Sequence, residues 1–272
     1  MKNLGSDLRQ VSSPWLYSTK YSAGLWTGVG LAIVLVLANA LLQLLSGMSV
    51  LTFILRSGFD DQKEVVKAFI IGIFPASVLT ALVVWHVAKI RGGEPREILS
   101  LRWPSLSVLG WICVIAAFLL TMYAMIFVVV TVFHIDMAQY TPGPNGEPPS
   151  TGSAGMVKEA MFDMANEPLL YWLAFPAITL GAPVAEELIF RGFLFSVLAN
   201  SRAGLSGATL ITAALWSLMH VTEPWFAVGV IFLMGLVLGA LLIRFGSLWV
   251  TMACHAIWNA SYALVIFGMQ PQ

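Results

Sequence analysis

Apolar residues run along this chain in blocks too long and too continuous to be one face of a soluble helix. Set against the roughly 18–20 apolar residues that carry a helix across a bilayer, they mark stretches at roughly 22–45, 65–88, 106–134, 168–200, 205–220, 225–243 and 247–267. The fourth is too long for one plain span. Pro176 and Pro183 inside it predict a kink or two helical pieces. The pattern predicts an all-α fold, a polytopic transmembrane bundle of about seven to eight spans. Residues 1–167 form a three-span region ending in a Pro/Gly-rich loop, and residues 168–268 form a C-terminal core. The two are read together as one integral membrane domain.

Composition agrees. The chain is 58% hydrophobic and 10% charged, where a soluble domain carries about a quarter charged residues. Its net charge is +0, so no basic excess points to nucleic acid as a partner; the lipid bilayer is the surrounding implied. Cys113 and Cys254 both fall inside expected spans without metal-type spacing, which argues against a disulfide framework. The first apolar stretch is longer than a signal-peptide core and reads as a retained anchor. The spacings Gly24/Gly28 and Gly235/Gly239 permit close helix contact.

The loops set an orientation. Lys2, Arg9, Lys20, Lys89, Arg91, Arg96, Arg102, Arg202 and Arg244 fall on one side, and Arg56, Lys63, Lys67 and Lys158 on the other. The positive-inside rule then places the N-terminus in the cytoplasm of a multi-pass cell-membrane protein. The outer connection, 135–167, contains "YTPGPNGEPPSTGSAG" and then "VKEAMFDMANE". In the latter, Val157, Ala160, Met161, Met164 and Ala165 make one apolar helical face, suited to the bilayer surface or to a lead-in to the next span.

Within the C-terminal spans the ionisable residues are Glu186, Glu187, Arg191, His220 and His255, with the amide Asn259 beside them. A charge at mid-bilayer costs at least ~2.5–3.5 kcal/mol, so these groups should face one another or a wet cavity. Counted from the turn "SRAG" (201–204), Glu186 and His220 both lie roughly 25 Å along their helices. Asn259 lies about 20 Å beyond the "FG" turn, with His255 about one turn lower. Glu187 and Arg191 are i, i+4 and can pair, whereas Glu186 is turned about 100° away, towards His220. A glutamate and a histidine holding one water could generate a nucleophile for amide hydrolysis. A second histidine and an amide could donate to the resulting oxyanion.

Other readings remain open on the residues alone. The sequence has no H-E-x-x-H, yet two histidines and a glutamate could ligate zinc. The polar cluster could equally serve packing in a non-catalytic scaffold or partner-binding protein. No span contains an aspartate, and no Gly-x-Ser-x-Gly occurs.

"EELIFR" (Glu186, Glu187, Arg191), "WSLMH" (Trp216 to His220) and "HAIWN" (His255 to Asn259) together resemble the EExxxR, FxxxH and HxxxN motifs of the CPBP family. That family comprises the CAAX proteases and bacteriocin-processing, Abi-type proteins. The one departure is Trp216 where the pattern has Phe. The resemblance covers roughly 168–268 and makes this core the catalytic part. It implies an intramembrane glutamic endopeptidase acting on a membrane-associated peptide or protein. Glu186 and His220 would activate water, His255 and Asn259 would form the oxyanion site, and Glu187 and Arg191 would support them. It implies no metal and no organic cofactor.

The orientation is testable with impermeant thiol labelling of intact cells. A cysteine at Ser150 should label and one at Arg96 should not; preferential labelling at position 96 reverses the topology.

Overall fold

The computed structural model of the chain describes residues 17, 24–50, 52, 62–90, 93–137, 160, 163–164 and 166–268. Among them the elements are α1 (Leu25–Ser49), α2 (Gln62–Ile90), a short α3 (Pro95–Ile98), α4 (Val108–Val132), α5 (Pro168–Ala199), α6 (Gly204–Leu218), α7 (Trp225–Phe245) and α8 (Leu248–Gly268). No strand occurs among the described residues. The chain is an all-helical, polytopic membrane bundle. Helices α1, α2, α4, α5 and α7 are long and apolar enough to cross a membrane. Helix α6, at 15 residues, is shorter, about 22 Å, and α8 has 21 residues.

The fourth stretch neither breaks nor separates into two helices. It is one helical run with two widened, π-type segments, Ala177–Gly181 and Glu187–Leu194. Proline explains the first. Pro183 has no N–H and would collide with the carbonyl four residues before it. A wider turn, bonded i to i+5, moves that carbonyl away. The Ala182 N–H accordingly reaches back to the Ala177 carbonyl.

Helix α5 is the axis of the bundle: 61% of its apolar window is buried inside the protein, against 11% for α4. Its last turns bury Phe193, Phe195 and Val197 against Leu238 and Leu242 of α7 and Leu248 of α8. Helices α1 and α2 pair through a polar seam, where the Thr80 hydroxyl donates to Asn39 Oδ1 at 2.8 Å. Between α7 and α8, Gly246 takes φ 58°, a left-handed conformation suited to glycine. Its N–H closes α7 on the Leu242 carbonyl at 2.8 Å.

Several connections meet at one end of the bundle. Ser247 donates to the Arg102 carbonyl, the Leu248 N–H bonds the Ser100 carbonyl, and Tyr17 reaches both Ser196 and Ile243. Arg102 and Arg244 lie in or beside these junctions, so two of the basic turns share an end. Lys67, near the outer end of the 65–88 stretch, sits within α2. It is buried, pairing with Glu64 at 3.0 Å and Asp163 at 3.6 Å.

Of the apolar face read before α5, two positions are described. Ala160 and Met164 are fully buried, in a cluster with Ala68, Ile71, Leu170 and Ala263. These two positions meet protein. Val157, Met161, Ala165 and the Pro/Gly-rich 138–159 stretch lie outside the described residues.

Of the two glycine pairs, Gly24 precedes α1, and a side chain there would meet only Thr27 of its own helix. Gly235 and Gly239 do make an interhelical contact. A Cβ on Gly235 would stand 2.8 Å from the Ala213 Cβ and 3.2 Å from Arg191 Nη2, and one on Gly239 2.7 Å from Thr209. Gly235→Ala should therefore destabilise by about 1–3 kcal/mol through overpacking. Gly229→Ala, on the same helix with open space around it, should be neutral or stabilising. Thermal melts of the two purified variants in detergent compare them directly.

Candidate active site

The site is built where α5 widens for the second time. Glu187 opens this segment and Arg191 lies one turn on. Arg191 Nη1 donates to Glu187 Oε1 at 3.0 Å, and both side chains have 0% exposure. The i, i+4 pairing read from the sequence is present. It lies at the centre of the protein, where an isolated charge of either sign would carry a large desolvation cost.

Two further contacts complete the pair. His255 on α8 places Nδ1 3.1 Å from the same Glu187 Oε1. Trp216 on α6 lays its ring over the guanidinium, with Arg191 Cζ 4.1 Å from the ring centre. Glu187 Oε2, Arg191 Nε and Arg191 Nη2 have no hydrogen-bond partner among the described residues. For the guanidinium, the aromatic face supplies an electrostatic contact in their place.

Glu186 has a different environment from its neighbour. Its side chain keeps 20% exposure. Its Oε2 accepts the indole N–H of Trp216 at 2.6 Å, and His255 Nε2 lies 4.0 Å from the same oxygen. That gap is too long for a direct hydrogen bond. A third atom off the line could still sit within hydrogen-bond reach of both. Adjacent carboxylates thus have separate environments: one is sealed into an ion pair, the other is partly exposed beside an imidazole.

The expected direct approach of Glu186 to His220 is replaced by an approach through Trp216. His220 is half-buried at the end of α6, and its Nδ1 is 3.0 Å from the Trp216 carbonyl. Because a carbonyl only accepts, Nδ1 carries the proton, and Nε2 is the acceptor in the neutral ring. The imidazole also meets the Trp216 ring edge-on, with centroids 5.4 Å apart. His255 makes a similar contact from the other side at 5.2 Å. Trp216, 2% exposed, therefore touches Glu186, Arg191, His220 and His255.

Asn259 stands one turn beyond His255 on α8, and its Nδ2 donates to the Ile178 carbonyl at 3.0 Å. In the first widened turn this carbonyl would pair with the N–H of residue 183, which is proline. Asn259 satisfies the acceptor that Pro183 leaves bare. Its amide has a second N–H to offer elsewhere. Two features escaped the sequence reading: Trp216 as the donor to Glu186, and Ile178 as the anchor of Asn259. The proline was the available signal for the second. For the first, the signal was an aromatic residue with an N–H one turn before His220.

Two carboxylates, a guanidinium and two imidazoles thus share one polar centre within the helical membrane bundle. Residues 168–261 match the family model described as Type II CAAX prenyl endopeptidase Rce1-like. The matched stretch is a hit to an Rce1-like domain of the CPBP family, and it contains the whole constellation. No curated protein and no solved structure matches the chain.

The two glutamates should respond oppositely to loss of charge. Glu187→Gln leaves Arg191 without a counter-charge in the core and should lower stability by about 3–5 kcal/mol. Glu186→Gln, partly exposed, should melt close to wild type. Equal melting temperatures in detergent, or a less stable Glu186→Gln, would remove the distinction.

Proposed function

We propose that this chain is an intramembrane endopeptidase of the cell membrane, with its N-terminus cytoplasmic, cleaving a membrane-associated peptide or protein substrate. Membership of residues 168–261 in an endopeptidase family supports the reaction class. The observation that carries the assignment of roles is the contrast between the glutamates, 0% against 20% side-chain exposure in consecutive positions. Only Glu186 can reach a water and a substrate.

In this reading Glu186 takes a proton from a bound water as the oxygen attacks the scissile carbonyl carbon. His220, with Nε2 as its free acceptor, shares that proton and returns it to the leaving amine as the C–N bond breaks. The tetrahedral oxyanion is met by the second N–H of Asn259 and by His255 Nε2, donors placed before the charge develops. For His255 to donate from Nε2 while Nδ1 donates to Glu187, its ring must carry both protons. Glu187 and Arg191 hold that ring and the helix that presents Glu186.

The proposal involves no metal. Zinc would need three or four ligands at about 2.0–2.2 Å. Among the described residues no three His, Cys, Asp or Glu side chains are grouped to hold one, and His220 points to its own helix's carbonyl. A non-catalytic scaffold would need fewer charges: the Glu187–Arg191 pair alone would pin the helices, leaving Glu186 without a task. Specificity for prenylated tails is the property named in the family's description, and a prenylated peptide is the natural first substrate to offer.

Activity on a membrane-anchored peptide should survive prolonged chelation and disappear in Glu186→Ala. Loss of activity on removing one equivalent of zinc, restored by its return, would replace this mechanism with a metal-dependent one.

A further inference from the structure

Where the family motif has phenylalanine, this chain has Trp216, and its indole makes a contact that phenylalanine cannot. The N–H donates to Glu186 Oε2 at 2.6 Å, a short, charge-assisted bond when the carboxylate is ionised. We propose that Trp216 is a positioning residue for the reaction: it holds Glu186 by one oxygen so that the other faces the water to be activated. This inference rests on Glu186 being the general base.

The surroundings make Trp216 a rigid donor. Its ring is 2% exposed and is held on three sides. The Arg191 guanidinium lies over its face at 4.1 Å, and the His220 and His255 rings meet it edge-on at 5.4 and 5.2 Å. The guanidinium is itself fixed by Glu187 at 3.0 Å. Position is thus passed from the sealed ion pair to the indole, and from the indole to the partly exposed carboxylate.

A carboxylate on a rotatable side chain would otherwise sample many orientations, and misplacement of a reacting group by about 1 Å can cost on the order of 100-fold in rate. Trp216 also leaves substrate contact to other groups, since the indole edge that carries its N–H is occupied by Glu186. Its removal should therefore lower kcat and leave KM nearly unchanged.

The test uses the full chain in proteoliposomes with a membrane-anchored peptide. Trp216→Phe keeps an aromatic ring and deletes the N–H. Benzothienylalanine installed at position 216 deletes the N–H with the indole's shape retained, and serves if the phenylalanine variant packs poorly. Both should lower kcat about ten-fold or more, as expected for losing a hydrogen bond to a charged group. KM and the melting temperature should change little. An indole resonance Raman band sensitive to N–H bonding should shift in Glu186→Ala relative to wild type, and be absent from the difference when position 216 is benzothienylalanine.

Wild-type kcat in the benzothienylalanine variant, with Glu186→Ala inactive, would overturn the role of Trp216 and leave Glu186 as base. A rise in KM with unchanged kcat would also overturn it. Full activity in Glu186→Ala would sink both readings together.

Discussion

A carboxylate and a guanidinium with no access to water hold this bundle in register. Glu187 and Arg191 are both fully enclosed, and neither could remain charged there alone. Their demand for each other dictates much around them. The helix that bears them must be the most enclosed one. The helix facing Arg191 must be thin at that level, which Gly235 provides. A histidine and a tryptophan from two other helices then close the pair. Four helices are drawn to one point by one desolvation problem, and the partly exposed Glu186 sits beside that point.

Much of this was legible beforehand, because helix lengths and turn positions convert directly into heights. The hydrophobic blocks located the helices to within a few residues. Counting from the 201–204 and 245–246 turns brought Glu186, His220 and Asn259 to similar levels, with His255 about one turn lower. The i, i+4 rule gave the Glu187–Arg191 pair. Lateral direction was harder. A helical wheel assumes one constant angle per residue, and α5 departs from it twice. Glu186 consequently finds Trp216 and His255, with His220 turned to its own helix.

Pro183 and Asn259 show how a local defect couples distant parts of the chain. The proline deprives Ile178 of its backbone partner, and an amide on α8 supplies one. Unmade backbone bonds are costly in a membrane, so α8 is anchored where α5 most needs it. The anchor also fixes the side chain that would face a developing oxyanion. One hydrogen bond therefore serves the integrity of a helix and, in the proposed mechanism, the placement of a donor.

The widened turns have a consequence for how this sequence can vary. Each accommodates one residue more than an α-helical turn would, and so absorbs the rotation of about 100° that this residue would otherwise impose on everything that follows. Apolar residues within Ala177–Gly181 can be exchanged for others of similar volume without moving the frame. Deleting any one of them cannot be absorbed so easily. The turn would close to α-helical width, leaving Glu186 near its present bearing but bringing back the clash between Pro183 and the carbonyl four residues before it. In such a segment length is more restrictive than identity, and insertions and deletions belong in the loops beyond Ala199 and before Pro168.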